Sequence, residues 1–129
     1  MSFGKAVLSK KYNLIMKTFF NINRVKIVVT IPPSHLEAVQ TAVFEAGAGV
    51  IGNYSCCSTV VKSIGTFKPE NGAEPYIGTA GNYETVEEIK LEFVCDITIV
   101  KEVLAAMRNA HPYEEPAIDL IPLLDGPPK

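Results

Sequence analysis

Twice in this chain a run of alternating apolar residues breaks off into residues spaced for a helix. This repeated strand-to-helix unit limits the fold more than any other feature. In the first unit Val25, Ile27, Val29 and Ile31 alternate with Arg24, Lys26, Val28 and Thr30, the period of a sheet with one wetter face. Pro32-Pro33 ends the run. Ser34 stands three residues before Glu37, a capping-box spacing. Leu36, Val39, Val43 and Ala46 then recur at helical intervals, which predicts a helix over 34–46 closed by Gly47. In the second unit Ile89, Leu91 and Phe93 share one face of a strand over 85–95, and Glu88, Lys90 and Glu92 share the other. Asp96 or Thr98 caps the helix that follows, in which Val100, Val103, Leu104 and Met107 repeat.

Residues 54–61, rich in Thr, Val and Cys, read as a strand between the two units, and the mostly apolar residues 117–124 read as the last strand. On a strand Cys56 and Cys57 point to opposite faces and cannot hold one metal ion without a bulge, so buried or half-buried free thiols are expected. Residues 63–83 form a long irregular segment in which Asn71-Gly72 marks a tight turn and a small hairpin. The order β-α-β-β-α-β, joined by right-handed crossovers, predicts an α+β ferredoxin-like sandwich: four antiparallel strands with two helices on one face. Val28, with Val60 or Val61, makes the uncovered face partly apolar, and covering it implies a homo-oligomer.

The 129 residues suit one domain over 24–124, with an extension over 1–23 and a tail over 125–129. The net charge of -2 hides an asymmetry. Residues 1–36 hold six bases and no acid, whereas from Glu37 onward 14 acids face six bases, a balance of -8. Such a body is a poor match for nucleic acid. No apolar run is long enough to span a bilayer, so neither nucleic acid nor membrane is expected as a partner. The basic opening residues read as a mitochondrial-type presequence, as a tail, or as the product of an upstream start with Met16 beginning the domain. Three cysteines without a secreted pattern point to a reducing, cytoplasmic setting, or to mitochondria if the presequence reading holds.

Gly47-x-Gly49-x-x-Gly52 matches the dinucleotide fingerprint in letters only, because it closes a helix and leads to a strand. The densest polar chemistry lies in His111-Pro112-Tyr113-Glu114-Glu115-Pro116, a corner stiffened by two prolines. The helix dipole and the neighbouring acids favour charged His111, either as a cap on the last carbonyls or as a metal or anion contact. Tyr113 packs its ring and exposes its hydroxyl. Glu114 and Glu115, adjacent on an extended corner, point apart as a solvated pair. The Glu88/Glu92 row is a solvated face or half of an acidic site. His35 is expected to be exposed. Neither a catalytic triad nor a phosphate-binding Walker loop stands out.

In chain order, Gly49-x-x-Gly52-x-Tyr54-Ser55, Gly65-Thr66-Phe67-x-Pro69, Pro75-x-Ile77-Gly78, Val86-Glu87-Glu88 and the terminal hexapeptide with Ala117 resemble the inserted domain of the Nif-three-like dinuclear-metal protein family, the YqfO-type insertion, and its short stand-alone relatives. The resemblance covers roughly residues 24–123. It implies a CutA/PII-like fold that tends to form trimers. It also implies that the family's two-metal site belongs to flanking domains whose ligand motifs this chain lacks, so the family's cyclohydrolase label does not transfer. The expectation is a non-enzymatic oligomerising module that binds a small ligand or a divalent metal ion at subunit clefts. Its ligand candidates are Gly65, Thr66, Phe67, Glu88, Glu92, His111, Tyr113, Glu114 and Glu115: backbone amides of the glycine loop can meet an anion and the acids a cation. No cofactor is named by the sequence, and the catalytic list is empty. The alternative is a metal-dependent, cyclohydrolase-like hydrolase acting with a partner that carries the dinuclear site.

Overall fold

The structure, a computed structural model, describes residues 10–11 and 21–125. The basic extension read over 1–23 lies mainly outside these residues, as does the tail beyond Asp125. Four strands, β1 (Asn21–Ile31), β2 (Thr59–Phe67), β3 (Glu84–Asp96) and β4 (Ile118–Asp125), form one antiparallel sheet in the order β2-β3-β1-β4. Within residues 21–125 two helices, α1 (Leu36–Glu45) and α2 (Val100–Ala110), are each entered through a short 3-10 turn. This is the α+β ferredoxin-like arrangement that the order of elements implies.

The core follows from the alternation. Val25, Ile27, Val29 and Ile31 of β1 lie beside Leu91, Phe93 and Cys95 of β3 and meet Val39, Val43, Val103 and Met107 of the helices. Fully burying one such large aliphatic side chain contributes roughly 1.5–3 kcal/mol. Asp96 caps the second helical segment, its carboxylate accepting from the Thr98 amide at 2.9 Å and the Thr98 hydroxyl at 2.6 Å. The first capping box does not form. The Ser34 side chain makes no cap bond and pairs with the His35 ring instead, because the 3-10 turn displaces Ser34 from the cap position. Gly47, with φ +103°, ends α1 as expected.

β2 begins five residues later than the sequence reading places it, and β1 begins three residues earlier. Residues 47–58 are drawn off the ladder by Gly47, Gly49, Gly52 and Cys56, all at positive φ. The Gly49 amide donates to the Val94 carbonyl at 2.8 Å, and the Cys57 amide to the Gly49 carbonyl at 2.8 Å. Cys56 and Cys57 therefore precede the strand rather than alternating across it. All three cysteines are free; Cys56 is exposed, Cys57 half-buried and Cys95 buried. Asn71-Gly72 does turn, with the Ala73 amide bonded to the Glu70 carbonyl at 3.1 Å, but no strands flank it and no hairpin forms. The register places Val61, Val28 and Ile121 on the face away from the helices. Val28 is buried there, and Val61 and Ile121 are exposed. Val60 stands on the opposite face. Among the described residues, no helix is long and apolar enough to cross a membrane.

Candidate functional site

The corner between α2 and β4 bends at Glu114 and Glu115 and divides into an inner side and an outer side. Inside, His111 is 6% exposed. The Tyr113 amide can only donate, and it points at Nδ1 of His111 at 3.1 Å. That nitrogen is therefore the acceptor, and Nε2 carries the proton that it donates to the Thr30 carbonyl at 2.8 Å. Burial pushes the imidazole below its ordinary value, against the opposing pulls of the Thr30 bond and the Glu88 charge. The expected charged histidine is corrected. Its ring ties the corner to β1 as a neutral imidazole and does not reach for helix carbonyls or an ion.

Outside, the corner faces a cleft of about 530 Å³. Its floor is Glu88, placed by β3 on the face away from the helices and only 7% exposed. The expected solvated row therefore divides. Glu92 pairs with Lys26 and Lys90, each at 3.3 Å, and lies outside the cleft. The hydrogen bond from Lys90, then that from Lys26, holds its carboxyl below the usual range. Glu88 accepts the Tyr113 hydroxyl at 2.9 Å through Oε2. Tyr113 thus commits its hydroxyl to Glu88 rather than leaving it to solvent. Burial, the hydrogen bond to Glu88 and the carboxylate charge all push the phenol above its ordinary value, which keeps it a donor.

Gly65 explains how a carboxylate fits against the sheet. A Cβ on this residue would collide with the Glu88 carboxylate, Oε1 first. The Glu88 side chain thus lies diagonally across a bare stretch of β2. Thr66 and Phe67 continue the wall, and Lys68 follows them.

The segment between β2 and β3 forms the far wall. Its base is closed by the Gly81 amide on the Pro69 carbonyl at 2.7 Å, and Pro69 is buried. Its middle is held to the corner by the Glu74 amide, which donates to Glu114 Oε2 at 2.8 Å. Tyr76 lies between two rings, edge-on to His35 with centroids 5.8 Å apart and tilted towards Tyr113 at 6.1 Å. His35 is consequently half-buried rather than exposed. Glu114 and Glu115 both border the cleft, contrary to the expected divergence, because the bend replaces the extended backbone that would separate them.

The cleft therefore gathers Gly65, Thr66, Phe67, Glu88, Tyr113, Glu114 and Glu115 and leaves out Glu92 and His111. Sequence reasoning missed Tyr76, Glu70 and Thr30. Of these, only Tyr76 had a nearby signal, the neighbouring Pro75 and Ile77 of the family pattern. Among the described residues, no three His, Cys, Asp or Glu side chains come together as a set able to hold a metal ion.

No family model matches the chain. A protein from Halalkalibacterium halodurans named GTP cyclohydrolase 1 type 2 homolog is 51% identical over 98 residues, which is 76% of this chain and 26% of that protein. The Bacillus cereus protein related to NIF3 superposes with a TM-score of 0.70 at 41% identity, over 79% of this chain and 26% of that one. CutA from Synechococcus elongatus superposes with a TM-score of 0.61 at 12% identity, over 81% of this chain and 80% of that one, a likeness of fold alone. The chain spans about a quarter of the length of the curated relatives it matches. By sequence and by fold alike, the chain is similar to about a quarter of the proteins named GTP cyclohydrolase 1 type 2 homolog or related to NIF3, in a CutA-like fold.

Proposed function

We propose that this chain is a non-enzymatic module that assembles with copies of itself and holds a small ligand in the cleft outside the α2–β4 corner. The observation that carries this reading is the cleft itself. A cavity of about 530 Å³ is within the range typical of small-molecule sites, and a buried carboxylate set by Tyr113 and Gly65 forms its floor. The absence of catalysis in this reading is supported by His111, whose two ring nitrogens are both engaged, so the obvious general base is committed to structure. The dinuclear metal chemistry of the similar proteins finds no matching donor set among the described residues, and the reading routes nothing through it.

Assembly is supported by Val61 and Ile121, exposed on the face away from the helices, and by the edge position of β2. The trimer implied by the family resemblance is the assembly we favour. The free thiols suit a reducing cytoplasm. The name of the relatives favours a second reading, in which the cleft serves a cyclohydrolase whose metal centre lies on a partner. Sedimentation of the full chain together with elemental analysis separates the two readings. A metal-free trimer supports the module. Two tightly held transition metals per chain, with hydrolytic activity, would overturn it.

A further inference from the structure

We propose that the cleft selects an organic cation, a primary ammonium or amidinium group carried on an apolar or aromatic body. This inference deepens the ligand-cleft reading above and rests on it. Of the charged residues bordering the cavity, Glu70, Glu88, Glu114 and Glu115 are acids and Lys68 is a base. A phosphate or carboxylate ligand would meet repulsion there, whereas a cation would not.

The acids are not equivalent. Glu88 is over nine-tenths buried, and its carboxylate has two oxygens in different states. Oε2 takes the Tyr113 hydroxyl. Oε1 lies over bare Gly65 and accepts no hydrogen bond from a described residue, yet it is not among fully enclosed unsatisfied atoms. It therefore presents an open acceptor towards the cavity, where the low surrounding dielectric strengthens a charge-assisted N–H···O bond.

The walls suit the rest of such a ligand. Tyr76 and Tyr113 set their rings 6.1 Å apart at 47°, a corner that offers ring faces to a cation and flat apolar surface to its body. Ile77 and Ala117 add aliphatic surface. A bare divalent ion is a poorer fit, because no three suitable donors converge among the described residues.

The test uses the full chain and a panel read by NMR shifts of the Tyr76 and Tyr113 rings: benzamidine, phenethylamine, neutral benzamide, benzoate and GTP. Benzamidine and phenethylamine are expected to bind at least about tenfold more tightly than benzamide or benzoate. Glu88→Gln is expected to remove most of that preference, while retaining the native circular dichroism. If Glu88→Gln does not fold, Tyr76→Ala, at an exposed ring, is expected to weaken both amines about fivefold. Tight binding of benzoate, benzamide or GTP at the same rings would overturn the cation assignment and leave the ligand cleft standing. Failure of the whole panel to perturb either ring would overturn both. Amine binding that Glu88→Gln, or in its stead Tyr76→Ala, leaves unchanged would also overturn the assignment.

Discussion

His111 and Glu88 are the two buried polar side chains among the described residues, 6% and 7% exposed, and they lie on opposite sides of one corner. Each contacts Tyr113, His111 through the backbone amide and ring to ring with centroids 4.8 Å apart, and Glu88 through the phenol. The histidine satisfies both ring nitrogens within the protein. The glutamate satisfies one oxygen with the phenol, lays the other over Gly65 without a bond from a described residue, and borders a cavity. Burial alone does not distinguish a structural group from a binding group; the number of bonding positions left open does. His111 holds the corner in place, and Glu88, on β3, is what the cleft outside it presents.

The sharpest way to break this contrast is His111→Ala. The substitution removes the imidazole donor from the Thr30 carbonyl and the acceptor from the Tyr113 amide, and opens a void. A loss of about 2–4 kcal/mol is expected from denaturant unfolding. This replaces the sequence-based placement of His111 among the ligand candidates with a structural role. A stable His111→Ala protein would return the residue to the list of ligand contacts.

Next in size is Gly65→Ala, whose new Cβ would strike the Glu88 carboxylate. The flexible end of the glutamate can move aside, so the fold is expected to survive at a cost of about 1–2 kcal/mol, largely the lost Tyr113 bond. Tyrosine fluorescence or ring shifts would report the freed phenol. An unchanged Tyr113 environment would show that the diagonal placement of Glu88 does not depend on a bare backbone at Gly65.

The pH dependence sharpens the same comparison. The folded pKa of His111 lies below the unfolded value of 6.5. At acid pH the unfolded chain therefore binds the proton first. The contribution is fully present above the unfolded value, falls as pH drops through 6.5 towards the folded value, and levels off below it. Denaturant midpoints measured from pH 7.5 to 4.5 should fall in this window, and His111→Asn should flatten that part of the curve. An identical slope in the variant would assign the acid sensitivity elsewhere.

The smallest effect is expected at Glu92. It faces Lys26 and Lys90 on the open side, where water and salt screen ion pairs. Glu92→Gln should leave the melting temperature nearly unchanged at physiological salt and leave the cleft unaltered. A marked loss would mean that the face is covered in the assembled protein.

Much of the fold was legible in the sequence, because β1, β3 and α2 each keep one unbroken period against the core. β2 was obscured for a physical reason. Its central glycine reads as a break, but Gly65 is there to let Glu88 cross the strand, a requirement imposed from β3. The residues before it, with adjacent cysteines and β-branched neighbours, have the composition of a strand but are drawn away by glycines at positive φ. The corner was legible as a place, since two prolines flank its polar residues. Its division into two sides was not, because nothing in the local sequence shows that Thr30, 81 positions earlier, receives the histidine proton. Likewise, the alternation that puts Glu88 and Glu92 on one face does not show that a loop covers only one of them.

The central claim is that the outer side of the corner binds while the inner side only supports, and benzamidine titration of the full chain followed by NMR tests it most directly. The account predicts that the Glu88 carboxylate carbon and the Tyr76 ring shift together and saturate, while the His111 ring resonances keep their neutral Nε2-protonated pattern. Movement of His111 with Glu88 unperturbed would contradict it.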